Sequence, residues 1–422
     1  MKRSLYLLPL LLAALPQPVR ADDAATLPKG VGRVRIKPIY SFFSRRWNQD
    51  GASERLTHDF DRRDLNAEVF PDLNKLERLY DYKAGSLTLG TSNVQSNVQV
   101  VVLPIAAEFG ILDRLTVGVI VPIVHLRHTL TSLSVDPEPR CTPDRCGMGK
   151  NPGDTKVSRD DSKYLPLDHD KDASTKLLAP LNTEDVQHLL GDELSYQRME
   201  SWSGTGLGDI ELGFKVRVFS WRFYTTALQA GVRLPTGRTD DPNNLLDLGF
   251  GDGQTDLGFY WQNDFTPWRG LRLNVTMKYT AQLPDRELKR VPTAVNVPLA
   301  KKENMEEVWR DLGDIFELDL LAAYAVLPVL KPFVRYNFVA KGEDDVRGDK
   351  GLAYQSLMDE TAVRNHRIEA GVTFTTIPWV AAKKFSIPLD ATLSYERSLA
   401  GKNNAAISNV LALEIAGYFK VF

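Results

Sequence analysis

The sequence predicts an all-β protein, a transmembrane antiparallel β-barrel of about 12 strands with long extracellular loops and short periplasmic turns. Three observations carry that expectation. Many short segments alternate apolar and polar residues, the connections between them alternate long and short, and aromatic residues gather at the short connections.

Alternation is clearest in "LRLNVTMKYTAQ". Leu271, Leu273, Val275, Met277, Tyr279 and Ala281 share one face, and Arg272, Asn274, Thr276, Lys278, Thr280 and Gln282 share the other. Successive side chains of a strand point to opposite sides, so this segment has one apolar wall and one polar wall. "DIELGFKVRVF" repeats the pattern, with Ile210, Leu212, Phe214, Val216 and Val218 opposing Asp209, Glu211, Lys215 and Arg217. The same reading places strands near 31–43, 93–109, 115–127, 207–219, 223–235, 255–265, 270–282, 313–325, 330–340, 365–376, 386–397 and 409–422. The second, third and ninth alternate less cleanly.

A soluble β-sandwich alternates too, and the connections separate the two cases. Links after odd strands are long or polar. Links after even strands are short, such as "GILDR", "FSWRF" and "FTPWRG". An even strand count with that rhythm is the pattern of an outer-membrane barrel with both termini in the periplasm. Trp221, Trp268 and Trp379 lie in the short turns, beside Phe219, Phe223, Phe265 and Phe385. Tight turns of soluble proteins are polar, whereas a barrel places amphipathic rings at the interface. Trp202 and Trp309 are expected in the opposite girdle.

Energetics assign the faces. Arg or Lys on the lipid face near the midplane costs roughly 2–4 kcal/mol. The charged face therefore lines the lumen. Expected pore-lining residues are Lys215, Arg217, Arg233, Arg272, Lys278, Glu317, Asp319, Arg335 and Glu369. Arg33, Arg35 and Lys37 on the first strand, Glu211 on the fourth, Arg367 on the tenth, and Asp390 and Glu396 on the eleventh share that inward parity. The cations Lys215, Arg217, Arg233, Arg272 and Lys278 are the candidates for solute contact.

The start, "MKRSLYLLPLLLAALPQPVRA", has Lys2 and Arg3, an apolar run and small residues before a cut after Ala21. Residues 1–21 read as a secretory signal peptide and 22–422 as the barrel, with 128–204 as a large extracellular loop. No apolar stretch is long enough for a transmembrane helix. The net charge of −2 and the lack of a dense Lys/Arg block exclude nucleic acid as a partner. Cys141 and Cys146 in "CTPDRC" suit a loop-stapling disulfide in an oxidising compartment. No metal site and no cofactor are implied. Asp168, Asp170 and Asp172 alternate as calcium ligands can, but Ala173 and Ala179 stand where an EF-hand needs Gly and Glu. "NTEDVQHLLGDEL" predicts a short helix started by Asn182 or Thr183. His125 and His128 lie near the outer end of the third strand. With no Gly-x-Ser-x-Gly elbow or HExxH pair, the chain is not expected to be an enzyme.

Several strands open with Gly and Asp. "GTGLGD", "GFGDGQTD" and "DLGD" place Asp209, Asp256 and Asp314 at the outer rim, where turn chemistry is the simpler role and cation or substrate contact the alternative. "GLGDIELGFKVRVF", "LQAGVRLPTGR" and "GDGQTDLGFYW" together resemble the core of an outer-membrane transporter-like family labelled phenol-degradation (meta-pathway) proteins. The resemblance is strong over about 204–282. It implies an outer-membrane channel whose cargo is aromatic or otherwise hydrophobic. The cysteine loop and the charged segment from about 44 to 85 have no counterpart in it.

The chain ends "GYFKVF". Phe422 is expected to close the last strand at the periplasmic edge, where barrel-assembly machinery reads a terminal aromatic strand. Leu411, Leu413 and Ile415 are odd-numbered while Tyr418 and Phe422 are even, so one face needs a bulge near Ala416–Gly417 to hold both sets. The functional expectation is an outer-membrane channel or transporter for small solutes, embedded in outer-membrane lipid. The alternative is the outer-membrane part of a polysaccharide export machine, or a surface scaffold.

Overall fold

The computed structural model describes residues 23–136, 161, 181–295, 297 and 299–421. The expected signal peptide, the cysteine pair, the Asp168–Asp172 run and Phe422 lie outside them. The wall is a closed antiparallel barrel of 12 strands. In chain order these are β1 (Val31–Ile36 and Ile39–Phe43), β2 (Thr88–Leu112), β3 (Leu115–Asp136) and β4 (Trp202–Leu207 and Ile210–Trp221). Then come β5 (Tyr224–Leu234), β6 (Asp256–Phe265), β7 (Leu271–Gln282) and β8 (Ile315–Tyr324). β9 (Leu330–Lys341), β10 (Arg364–Thr375), β11 (Leu389–Lys402) and β12 (Asn409–Lys420) complete the circuit. Every strand pairs with its sequence neighbours, and β1 pairs with β12 from Val31 opposite Lys420 to Ile36 opposite Ile415. Closure leaves no open edge, which a hydrocarbon environment does not tolerate.

β1 is interrupted where Pro38 has no N–H to give to the ladder. Its register against β2 and β12 is the same on both sides of the gap. β4 carries a true bulge. Ile123 of β3 stands opposite Leu207, but Ile120 stands opposite Glu211, so β4 holds one extra residue at Gly208–Asp209. A bulge of one residue reverses which parity faces inward. Odd residues of the lower half, such as Lys215, face the lumen. In the upper half Trp202, Gly204 and Gly206 do.

The faces divide as energetics require. On β7, Asn274, Thr276, Lys278 and Thr280 are buried inside, while Leu273, Met277 and Tyr279 are exposed outside. Trp221, Trp268 and Trp379 stand exposed at the short-turn end with Phe219, Phe223, Phe265 and Phe385. The opposite girdle is not as expected. Trp202 faces the lumen and packs on Phe250 at 6.2 Å between centroids, and Trp309 belongs to an extramembrane sheet, under Arg347. Trp202 stands on the part of β4 above its bulge and Trp309 in a cap strand before β8, so their place in the chain did not fix their height.

The last strand also departs from expectation. β12 is regular, with no register shift against β11 or β1. Leu411, Leu413, Ile415 and Phe419 point outward, and Tyr418 points inward. A lumenal tyrosine satisfies its polar end there. Its hydroxyl donates to Asp390 at 2.7 Å, and Arg33 lies 5.9 Å from the ring centroid. No bulge is needed because Tyr418 never belonged to the lipid face.

β2 and β3 are far longer than the 9–11 or so residues that cross a bilayer. Their outer ends invert the usual polarity. Asn93, Gln95, Asn97, Gln99 and Arg127 point outward there, and Val94, Val98, Val100 and Leu126 point inward and are buried. This part of the wall stands in water and turns its apolar face to a cap built from the long loops. The inward face of the outer ends of β2 and β3 is thus apolar rather than charged, which is why neither strand alternated cleanly in sequence. The cap contains a helix over Leu73–Leu79 and a three-stranded sheet of Asp285–Arg290, Met305–Asp311 and Asp345–Arg347. It also holds the expected short helix, Thr183–His188, whose first turn is capped reciprocally by Asn182 and Asp185.

The assigned faces make a direct prediction. Met277→Arg places a cation in the lipid band and is expected to lower stability in bilayers by about 2–4 kcal/mol, with Met277→Leu near neutral. Tyr418→Phe is expected to cost about 1 kcal/mol through the loss of the Asp390 bond. Urea unfolding of the reconstituted protein measures both.

Candidate functional site

The interior is layered. At the short-turn end the segment Asp23–Lys29 enters the lumen. Leu27 N–H donates to Thr116 Oγ1 at 2.8 Å, Ala24 N–H donates to Asp264 Oδ2 at 2.9 Å, and Lys215 Nζ donates to the Asp23 carbonyl at 2.9 Å. Ala24 has no exposed surface. This strap reaches from the β2–β3 turn, where Thr26 Oγ1 and Lys29 N–H bond Asp113, to β6.

Above it the wall charges meet in pairs. Arg33 and Arg35 share Glu108, at 2.6 and 3.1 Å. Arg233 bridges Asp256 at 2.9 Å and Glu211 at 3.3 Å. Lys278 meets Glu317 at 2.9 Å, Arg335 meets Glu369 at 2.8 Å, and Arg272 meets Asp264 at 3.1 Å. Asn337 donates to Asp319 and accepts from Arg367, which also pairs with Glu396. Such charges cost less buried in pairs than alone. Of the expected pore-lining residues, all but Arg217 therefore sit in this paired interior. Arg217 reaches the carbonyl of Asp113 at the rim of the short-turn end.

The outer third of the lumen is apolar on the β1, β2, β3 and β12 side and holds a plug. The loop between β5 and β6 folds inward, and Leu248 and Phe250 pack against Phe43, Val98, Val100, Val124 and Val410. The Phe250 ring lies directly over Gly204 and Gly206, where any Cβ would fall within 3.0 Å of it. Arg238 braces the plug. It bonds Asp247 with both arms, at 2.5 and 2.6 Å, and covers the rings of Trp202 and Phe250.

The Gly-Asp and Leu-Pro-Thr-Gly motifs meet at the base of this plug. Thr236 Oγ1 donates to the Gly208 carbonyl and accepts from Ile210 N–H, both at 2.9 Å. Asp209 Oδ1 accepts from Gly237 N–H at 2.8 Å, and Gly251 lies so close to the Asp209 carboxylate that a Cβ would come within 2.4 Å. The bulge of β4, the end of β5 and the return of the loop thus form one knot. Asp256 stands beside it, tied to Arg233. Asp314 does not: it accepts from the outward-facing hydroxyl of Tyr279 and from Gln282 N–H at 3.0 Å.

Above the plug, two apolar cavities lie under the cap. The larger, of about 550 Å³, is lined by residues including Phe60, Leu65, Val94, Leu190, Met199 and Leu245. The smaller, of about 120 Å³, shares Phe60, Met199 and Leu245 and reaches His128 and Leu246 at the head of the plug. Sequence reasoning missed both, because their walls come from many separate loops and strands. His128 is buried, with Nε2 2.9 Å from Ser96 Oγ and Nδ1 3.2 Å from the Leu246 carbonyl. His125 is on the opposite, exposed face of β3, against Thr205. The two histidines do not act on a common space.

The fold is shared with one outer membrane channel of known structure. An outer membrane channel from Pseudomonas putida F1 superposes with a TM-score of 0.52 and 11% identity, over 95% of this chain and 100% of that one. Looser similarity extends to a Pseudomonas aeruginosa FadL homologue, at a TM-score of 0.37 and 8% identity over 97% of this chain and 94% of that one. The CymD monoaromatic hydrocarbon channel is similar at 0.34 and 9%, over 93% and 89%. No protein-family model and no curated sequence matches the chain.

The knot predicts a local effect. Asp209→Ala is expected to raise hydrogen exchange at Gly237 and through 238–250 by about tenfold or more, with the barrel amides unchanged. Exchange resolved by mass spectrometry measures it.

Proposed function

We propose that the protein is an outer-membrane channel for small hydrophobic solutes, aromatic compounds among them, with its short turns and both termini in the periplasm. The observation that carries this is the apolar route above the plug. A cavity of about 550 Å³ is of the size that takes a small ligand. Its apolar lining continues through the smaller cavity to the plug residues Leu246, Leu248 and Phe250. The signal-peptide-like start and the resemblance to phenol-degradation transporter-like proteins support the same reading.

In this mechanism the cap draws a hydrophobic solute out of water by burying its surface. The Phe250 plug then yields at its hinge, the Asp209–Gly237 knot, and the solute passes the paired lumen before reaching the strap at Asp23–Lys29. The lumen cations Lys215, Arg233, Arg272 and Lys278, paired with carboxylates, make the wall below the plug polar rather than a second apolar seal. A polymer exporter needs a wide continuous bore, and plug and strap both cross this one. The last strand would be the segment that barrel-assembly machinery engages.

Uptake of a radiolabelled neutral aromatic by cells whose outer membrane carries the protein tests the proposal. Uptake is expected well above that of cells without it. Leu190→Trp, which fills the larger cavity, is expected to reduce it about fivefold. Removing residues 240–247 is expected to raise single-channel conductance in planar bilayers. Aromatic uptake equal to that of cells lacking the protein, with the barrel correctly folded, sinks the reading.

A further inference from the structure

The short-turn end carries a collar of unpaired cations. The β2–β3 turn holds Arg114, the β4–β5 turn Arg222 and the β6–β7 turn Arg269. β9 begins beside its turn with Lys331, and the β10–β11 connection holds Lys383 and Lys384. Where β1 and β12 close the barrel, Lys29 and Lys420 flank the seam. Each of these side chains is exposed, and among the described residues none enters an ion pair or a side-chain hydrogen bond. The turns contain one carboxylate, Asp113, whose Oδ1 accepts from the backbone N–H of Lys29.

This is unlike the lumen. Lumen cations are paired with carboxylates, and cap cations such as Arg198 and Arg310 have acidic partners. At the short-turn end every gap around the barrel offers a free cation. Directly beside them stand Trp221, Trp268 and Trp379, with Trp221 and Phe223 in ring contact at 5.3 Å. Rings of that kind settle at the level of lipid headgroups. The collar is therefore held at the height of the headgroup phosphates. Clustered Lys and Arg at that height attract anionic lipid.

We propose that this collar binds the phosphate headgroups of anionic phospholipids in the leaflet around the short-turn end. It thereby gathers an anionic annulus that fixes the barrel's height and tilt. The inference needs only the membrane-spanning fold and is independent of what the barrel carries. A soluble phosphate lacks the acyl chains that the neighbouring Trp and Phe rings would cover, so the occupant is a lipid. The Trp and Phe rings at the same level favour an acyl-chain-bearing lipid over an acidic polypeptide as the occupant.

The full chain, reconstituted in phosphatidylcholine vesicles, tests this through quenching of tryptophan fluorescence. Brominated phosphatidylglycerol is compared with brominated phosphatidylcholine. The expected preference for phosphatidylglycerol is about threefold or more at low salt. It should fall toward unity in about 0.5 M salt, where screening shortens to a few ångström. The quadruple variant Arg222→Gln, Arg269→Gln, Lys383→Gln and Lys384→Gln is expected to show no preference, with unchanged circular dichroism and heat-modifiable migration. Lys301→Gln with Lys302→Gln, in the cap, is expected to keep the preference. Equal quenching by both lipids in the unmodified protein overturns the proposal, as does a preference that survives the quadruple change. Loss of the preference on adding millimolar glycerol phosphate, or displacement of lipid by poly-glutamate, overturns it in favour of a soluble anion or an acidic partner.

Discussion

Hydrocarbon offers no partner to a backbone N–H or C=O, and the structure depends on that constraint first. The pairing of β1 with β12 meets it by removing the last open edge. Once the sheet is closed, each strand has one face toward lipid and one toward a shared interior. Arg33, Arg233, Lys278 and Arg335 must then point inward, because the outward alternative is too costly. Crowded together inside, they need carboxylates at matching heights. Glu108, Glu211, Glu317 and Glu369 occupy those positions, each on the neighbouring strand. Closure and charge pairing are two consequences of one solvent.

The bulge at Gly208–Asp209 is where the wall becomes a device. One extra residue turns Gly204 and Gly206 inward above it, and their missing side chains make room for Phe250. The same bulge aims Asp209 at Gly237, which anchors the loop that carries Phe250. Short glycine-rich motifs that look like turn punctuation are therefore parts of one joint. Glycine is required at 206 and 251 by contact with a ring and a carboxylate, not by backbone conformation.

The two ends of the barrel meet different surroundings. At one, β2 and β3 rise out of the lipid and exchange polar for apolar inward faces, because a cap of loops supplies the cover. At the other, the chain turns within a few residues, and the turns hold tryptophans and unpaired cations. The first end buries apolar surface to make cavities. The second presents charge to a membrane surface. This asymmetry lets a symmetric wall have a direction.

Much of this was legible in sequence. Side-chain direction in a strand is set by the local backbone, so alternation alone assigned the faces of β4, β6, β7 and β8. Turn lengths set the strand order. What failed were judgements that depend on the far side of the molecule. Tyr418 was placed outward because it is aromatic, but Asp390 and Arg33 across the neighbouring strands make it lumenal. Trp202 was placed in a girdle, but the Gly208–Asp209 bulge turns it toward Phe250. The inward valines of β2 and β3 blurred their pattern because a loop more than a hundred residues later covers them. The sequence by itself determined a closed barrel with a polar interior, since a bilayer reads each strand one residue at a time. Only the tertiary structure decided the plug, the cavities and the pairing of charges, since these depend on which distant residues share a volume.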